Sequence, residues 1–466
     1  MKEKYSYLSK NVLLFSLSGF VPKILSFILI PIYTGYLTTA EYGISDLIIT
    51  TASLLVPIFT IDIQDAVMRF TLDKNYKNND VFSVAVKILL LGTSLVMIGT
   101  LIVSILKIPG LNNTFLLFLV IMYFTTACNN TFSLFCRGID KVQVIVISSI
   151  LNSVITLSTN ILFLVVFKWG LVGYLVANSL GAIASLVYIF FSAELFKYLK
   201  FKTPENIRKE MLTFSFPLVF SVAAWWVNSA SDRYILSWMA GIGVSGIYAV
   251  AYKIPNLLSV FQNVFSQAWS ISAIKEFDRN DTDGFIGKMY TMMNFAMVAL
   301  CSMIMIVNIP MAKILYSNAF FEAWKYVPPL LVSVVFNAMS LFLGSIFTAV
   351  KDTKTLSIST IVGAIVNTIC NFVLIFYFGA YGASISTLIG YAVTLVMRNL
   401  ILHKHIHMKT NQKRNIISYI ILLMQMIIAY AGWKTIPIQI IFLFGIFILY
   451  INELLSVAAL VRRLKN

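Results

Sequence analysis

Charged side chains are scarce in this sequence. Asp, Glu, Lys and Arg make up 12% of the 466 residues, about half the share found in an ordinary globular domain. With 59% hydrophobic residues and a mean hydropathy of +0.87, a soluble fold is excluded, because the apolar surface has to face lipid. Cysteine is nearly absent too. Cys128, Cys136, Cys301 and Cys370 are scattered through apolar stretches without metal-ligand spacing, so they read as small buried hydrophobes. No nucleotide-binding or metal-binding motif is present. No cleavable signal peptide is expected, since the first apolar run is long, lacks a small-residue cleavage site and is followed by many more. The polar breaks are too short to hold a soluble domain.

What the chain does have is a succession of apolar runs, each near the roughly 20 residues a helix needs to cross the hydrocarbon core. They fall at 9–36, 43–69, 82–106, 114–135, 143–167, 171–193, 212–239, 244–271, 287–315, 326–349, 356–377, 381–401, 415–432 and 436–460. The sequence therefore predicts an all-α integral membrane protein of about 14 transmembrane helices.

Cytoplasmic loops carry excess Lys and Arg, and alternate breaks here differ sharply in charge. One set holds Lys2, Lys4 and Lys10; Arg69, Lys74 and Lys77; Arg137 and Lys141; Lys197, Lys200, Lys202, Arg208 and Lys209; and Lys275, Arg279 and Lys288. It continues with Lys351 and Lys354, with Arg398, Lys404, Lys409, Lys413 and Arg414, and with Arg462, Arg463 and Lys465. The other set holds only Lys107, Lys168, Lys313, Lys325 and Lys434. Both termini are thus expected in the cytoplasm. The net charge of +16 needs no nucleic-acid partner, because most of it would face anionic headgroups and the cytoplasm.

The chain also repeats itself. After the fourth run it reads Arg137-Gly-Ile-Asp-Lys141, an apolar stretch with Asn160, then Gly170-Leu-Val-Gly173 and Gly181; after the tenth it reads Lys351-Asp-Thr-Lys354, an apolar stretch with Asn371, then Gly379-Ala-Tyr-Gly382 and Gly390. The glycine spacings are identical. Tyr42 to Arg69 is likewise spaced as Tyr248 to Lys275. A six-helix unit has an even number of crossings, so its two copies share an orientation and should be related by an axis along the membrane normal. The expected division is an N-lobe at 1–195, a linker at 196–211, a C-lobe at 212–403 and two further helices at 414–466.

A Lys, Arg or Asp at a helix centre costs about 2.5–3.5 kcal/mol on insertion scales, so such residues usually meet a polar cavity or a partner. Lys23 lies near the middle of the first run, Asp232 and Arg233 in the outer half of the seventh, and Lys253 in the outer half of the eighth. Lys23, Arg233 and Lys253 together would make an electropositive cavity suited to a diphosphate, Arg offering paired donors and Lys a point charge. Asp46, Asp62 and Asp65 sit on the second run, ending in Arg69. Other readings stand beside these: Asp232 and Arg233 could serve a structural ion pair, and Lys253 could snorkel outward. Lys87 reads as a snorkelling residue. Trp225, Trp226, Trp238 and Trp269 could stack on sugar rings, but Trp238 and Trp269 read better as interfacial lipid anchors. His403, His405 and His407 read as part of a solvated basic loop rather than a metal site.

Several stretches resemble the Wzx-type oligosaccharide flippases of the MOP transporter superfamily. They are Lys10-Asn11, Ile30-Pro-Ile-Tyr-Thr34, Glu41-Tyr-Gly43, Met68-Arg-Phe70 and Arg137-Gly138, then Asp232-Arg-Tyr-Ile-Leu236, Gly246-Ile-Tyr-Ala249, Ala251-Tyr-Lys-Ile254 and Gln267-Ala-Trp269. The resemblance implies two pseudo-symmetric six-helix lobes around a cavity that opens alternately to each face, plus two C-terminal helices. The implied substrate is oligosaccharide linked through diphosphate to a polyprenyl lipid. The setting is a bacterial cytoplasmic membrane, with polysaccharide polymerase and glycosyltransferases as pathway partners, no cofactor, and H+ or Na+ as the coupling ion. The competing readings are an ion-coupled multidrug or small-molecule exporter of the same superfamily, favoured by Asp62 and Asp65, and a membrane-embedded polymerase. The short outer loops, with few acids beyond Glu41 and Glu322, speak against an enzyme.

The topology is open to a direct check. In a variant lacking the four native cysteines, a cysteine at Asn318 should react with an impermeant maleimide in intact cells. Labelling only after permeabilisation would invert the orientation.

Overall fold

The computed structural model describes residues 22–107, 112–275, 277–350 and 352–451. Lys2, Lys4, the Lys10-Asn11 pair, most of the first apolar run, Lys351, the end of the last run, and Arg462, Arg463 and Lys465 lie outside the described residues. Every regular element among the described residues is helical, as the bilayer demands: with no water to bond, each peptide group must be satisfied inside its own segment.

After the helical residues 22–28 the order is α1 (Ile30–Tyr36), α2 (Thr39–Phe59), α3 (Ile63–Thr71), α4 (Asn78–Ile105), α5 (Asn113–Gly138), α6 (Val142–Asn160) and α7 (Gly170–Ser192). Then come α8 (Glu205–Ala240), α9 (Ile242–Ala251), α10 (Pro255–Lys275), α11 (Phe285–Ile306), α12 (Asn308–Leu315), α13 (Val327–Ala349), α14 (Thr353–Phe378), α15 (Ala380–Leu402), α16 (Gln412–Ala429) and α17 (Ile436–Leu449). Among the described residues ten helices are long and apolar enough to cross a membrane, and the pair α9–α10, bent by 50°, makes an eleventh. These eleven match the second to twelfth runs read from the sequence. The count of 14 is not reached among the described residues, because the first run is mostly outside them, α16 falls short of the apolar criterion and α17 belongs to a shorter apolar helix, Trp433–Leu449.

The chain forms two compact units, residues 1–230 and 231–466, divided inside α8. Each is built on the same plan. In the first, the fourth span, α5, is the most buried and packs against the second (α2 and α3), the third (α4) and the sixth (α7). In the other, the tenth span, α13, is the most buried and packs against the eighth (α10), the ninth (α11) and the twelfth (α15). The outermost helices show the reverse pattern: α4 exposes Leu90, Leu91, Leu95, Ile98, Leu101 and Ile105, the face that lipid would cover.

The repeated glycines explain why two hairpins, α6–α7 and α14–α15, are alike. Gly170 and Gly379, each opening the second arm of its hairpin, hold φ of +57° and +55°, where a side chain would be strained. Two further glycines remove the side chain where the arms touch. A Cβ on Gly181 would sit 2.0 Å from Thr156 Oγ1, and one on Gly382 would sit 2.1 Å from the Leu374 carbonyl oxygen. The copies differ in one respect. Gly170 follows Asn160 by ten positions and Gly379 follows Asn371 by eight; the first arm takes up its greater length in a π-helical turn, Ile161–Val166.

The last two helices dock on the flank of the second unit, against α11. A buried amide and hydroxyl network holds them: Asn294 donates to the Tyr450 hydroxyl at 2.7 Å and to Asn415 Oδ1 at 3.2 Å, and accepts from Tyr419 at 2.7 Å. Three sequence readings need correction. Arg398 is no loop cation but lies buried in α15, donating to the Ser340 carbonyl at 2.6 Å, Ser359 Oγ at 3.0 Å and Thr360 Oγ1 at 2.9 Å. Its guanidinium is planar and rich in donors, so carbonyls and hydroxyls of α13 and α14 satisfy it without an acid. Lys87 does not reach for headgroups; its Nζ donates to the Phe201 carbonyl at 2.7 Å and to Thr203 Oγ1 at 3.1 Å, tying down the segment before α8. Trp269 is a core residue rather than a lipid anchor, stacked on Phe342 at 4.1 Å with its indole N–H donated to the Phe342 carbonyl at 3.1 Å. Trp238, at 78% exposed, has the surface position expected of it.

Candidate functional site

The second and eighth apolar spans are broken, and these two breaks hold most of the candidate residues. In the first unit the second span loses its helical path after Pro57. Proline supplies no N–H and disturbs the turn before it. The Pro57 carbonyl instead accepts the Asp62 N–H at 3.0 Å, and Ile61 and Asp62 take φ of +52° and +48°. Positive φ on two successive side-chain-bearing residues costs of order 1–3 kcal/mol each.

Asp62 is fully buried at this break. Its Oδ1 accepts from Gln64 Nε2 at 3.0 Å, its backbone carbonyl accepts from Ser215 Oγ at 3.2 Å, and its Oδ2 has no partner. Asp65 and Arg69 lie exposed one and two turns further along α3, Arg69 being 3.8 Å from Asp73. Trp226 donates its indole N–H to the Thr50 carbonyl and Ser53 Oγ, both at 3.2 Å, whereas Trp225 is 63% exposed. Lys23 is exposed within the helical residues 22–28.

In the second unit the eighth span bends at Tyr252, Lys253 and Ile254, between α9 and α10. Three of the stretches that carried the family resemblance converge beside this bend on one buried carboxyl. Asp232 Oδ2 accepts from the Tyr248 hydroxyl at 2.6 Å, from the Tyr252 hydroxyl at 2.9 Å and weakly from Thr387 at 3.4 Å, while Oδ1 accepts the Arg233 N–H at 2.9 Å. Arg233 lies with its guanidinium carbon 5.2 Å from the Tyr252 ring centre, a cation–π distance. Lys253 is half-buried at the bend itself. The structure thus brings Asp232, Arg233 and the turn bearing Lys253 to one place, and separately gathers Asp62, Asp65 and Arg69 on one short helix.

The tyrosines were missed as ligands. Tyr248 and Tyr252 are four residues apart and so share a helical face; a buried acid needing donors, followed across a tight turn by such a pair, was the available signal. Gln64 and Ser215 left no comparable trace. No cluster of three or more His, Cys, Asp or Glu suited to a metal occurs among the described residues. His405 instead pairs with Asp352, Nε2 to Oδ2 at 3.0 Å. Hydrogen bonds from Thr355, aided by that imidazole, hold the Asp352 carboxyl below the ordinary carboxylate range. An apolar cavity of about 320 Å³ opens between α11, α13, α15 and α16, lined by Tyr290, Phe336, Leu395, Asn399, Met408 and Tyr419 among others.

The family model for polysaccharide biosynthesis proteins matches residues 8–271, more than half of the chain. The protein belongs to this family. That bears out the resemblance carried by the sequence stretches, all nine of which lie within the match together with Asp62, Asp232 and Lys253. Among solved structures, the fold is similar to the lipid II flippase MurJ in an inward closed conformation, with a TM-score of 0.68 at 12% identity, covering 97% of this chain and 100% of that one. It is also similar to an inward-facing multidrug resistance MATE transporter of the MOP superfamily (TM-score 0.64, 14% identity, 81% and 93% covered). A MOP superfamily transporter from Pyrococcus furiosus is similar as well (0.59, 13%, 84% and 94%). No curated protein matches the sequence. The protein is thus a multi-pass membrane protein with the fold of MOP transporters.

The Asp232 cluster can be tested for its structural weight. Tyr248→Phe removes its shortest bond and should lower stability by about 0.5–2 kcal/mol, read as a lower melting temperature in detergent, whereas Trp238→Ala on the exposed surface should change it little. A Tyr248→Phe protein as stable as wild type would remove Tyr248 from the site.

Proposed function

We propose that this protein is a flippase that carries polyprenyl-diphosphate-linked oligosaccharide across the bacterial cytoplasmic membrane, for assembly of a surface polysaccharide. The observation that carries the reading is the combination of the family match with a fold likeness to a lipid II flippase that runs over 97% of this chain, against 81% for the MATE transporter. In this reading the lobes at 1–195 and 212–403 rock about the substrate to give alternating access, because parallel repeats place the transport site at their junction. Both termini face the cytoplasm, where glycosyltransferases supply the lipid-linked sugar; a polymerase consumes it on the other side. The protein catalyses no reaction.

Lys23, Arg233 and Lys253 bind the diphosphate, and Asp232, Asp62, Asp65, Arg69, Trp225 and Trp226 shape or gate the path. Cations within apolar spans are costly away from polar partners, and a diphosphate would give all three a common anionic partner. The cavity beside α16 supports a role for the C-terminal helices in receiving the apolar tail, being mostly apolar and several methylene groups wide. A second reading, an ion-coupled small-molecule exporter, is favoured by the buried Asp62 and is separated from the first by what the protein moves.

Lys23→Ala should abolish polysaccharide export at unchanged protein level in the membrane, while Lys23→Arg should keep part of it, since the charge persists with altered geometry. Normal export by Lys23→Ala at matched expression would exclude Lys23 from substrate binding.

A further inference from the structure

The acid–amide pair at the broken second span has an unusual composition. Gln64 Nε2 donates to Asp62 Oδ1 at 3.0 Å, and the two atoms left over, Asp62 Oδ2 and Gln64 Oε1, are both buried and both without a partner. As a carboxylate, Asp62 therefore leaves two acceptors unsatisfied on adjoining groups, each at the cost of a buried polar atom without a hydrogen bond. One proton removes both defects. A carboxylic acid and a primary amide form a cyclic pair in which the acid O–H donates to the amide oxygen while the amide N–H donates to the other acid oxygen.

We infer that Asp62 is a proton-binding site, protonated on Oδ2 in this conformation and bonded through that proton to Gln64 Oε1, and that release of the proton rearranges the break at residues 60–64. The inference deepens the transport reading and rests on it only for the use made of the proton. No bond other than O–H is made or broken; the proton comes from and returns to water.

The surroundings agree with a neutral acid. Among the described residues no Lys, Arg or His touches the Asp62 carboxyl. On α3 itself the nearby charges are Asp65, a like charge, and Arg69, which faces Asp73. On α2 they are Glu41, which caps that helix with Thr38, and Asp46. On the packed helices α4 and α5, Asp80 is held by Lys200 at 2.8 Å and Lys87 by the Phe201 carbonyl, and Arg137 lies in the last turn of α5. On α8, which reaches the break through Ser215, Glu210 accepts from Tyr76, Arg208 pairs with Glu205, and Lys209 completes the group. Ionised, Asp62 would have one donor, no cation and two strained residues to hold it. The strained backbone makes the break responsive: φ values of +52° and +48° persist only while the surroundings enforce them.

Infrared spectroscopy of the whole protein in nanodiscs tests this without any transport assay. At pH 5 the wild type should show a protonated-carboxyl band that disappears in Asp62→Asn, shifts in Gln64→Leu and persists in Asp65→Asn. Asparagine mimics the neutral acid by donating to Gln64 Oε1, so Asp62→Asn should fold. Wild-type thermal stability should fall as pH rises and the proton is lost, and in Asp62→Asn the fall should be flattened. An unchanged carboxyl band in Asp62→Asn would overturn the inference; so would a band absent from wild type together with stabilisation by Na+ that needs Asp62. Either result stands independently of which substrate is moved.

Discussion

Inside a bilayer each peptide group must find its hydrogen-bond partner within the chain, and helices meet that demand only while they stay unbroken. The whole architecture follows: close-packed helices in two compact units, with glycine where helix backbones approach. Any interruption exposes groups that something else must satisfy. Among the described residues, the breaks in the second and eighth spans are both occupied by ionisable side chains.

The two breaks solve the problem differently. At the bend between α9 and α10, Asp232 is surrounded by donors, with two phenols and a backbone N–H aimed at its oxygens and a guanidinium nearby. At the break between α2 and α3, Asp62 has a single side-chain donor and keeps an unpaired oxygen. A satisfied network such as that around Asp232 stiffens its surroundings. The breaks also stand at different depths of their spans: Asp62 follows Tyr42 by twenty residues, and Tyr252 follows the equivalent Tyr248 by four. Two units with the same packing plan are thus bent at different points.

Much of this fold could be read from the chain. Hydropathy marks eleven of the spans because a bilayer imposes one length on them all, and the Gly170 and Gly379 copies follow from a backbone conformation that side chains resist. What stayed hidden was partnership. Arg398 looked like a loop cation because its partners are carbonyls and hydroxyls of other helices, which leave no charge pattern, and Trp269 looked like an anchor because indole is common both at interfaces and in cores. The deep position of Asp62 was evident, but its isolation depends on the side chain two residues away and on a φ that nothing but Pro57 foreshadows.

The account stands on lipid-linked oligosaccharide as cargo, and reconstitution addresses that most directly. In sealed vesicles holding a polyprenyl-diphosphate oligosaccharide in both leaflets, the purified protein should make the inner-leaflet sugar accessible to an impermeant sugar-modifying enzyme, and Lys23→Ala should not. Sugar that stays protected as in protein-free vesicles, while the same vesicles move a small organic cation, would contradict the flippase reading and favour the exporter.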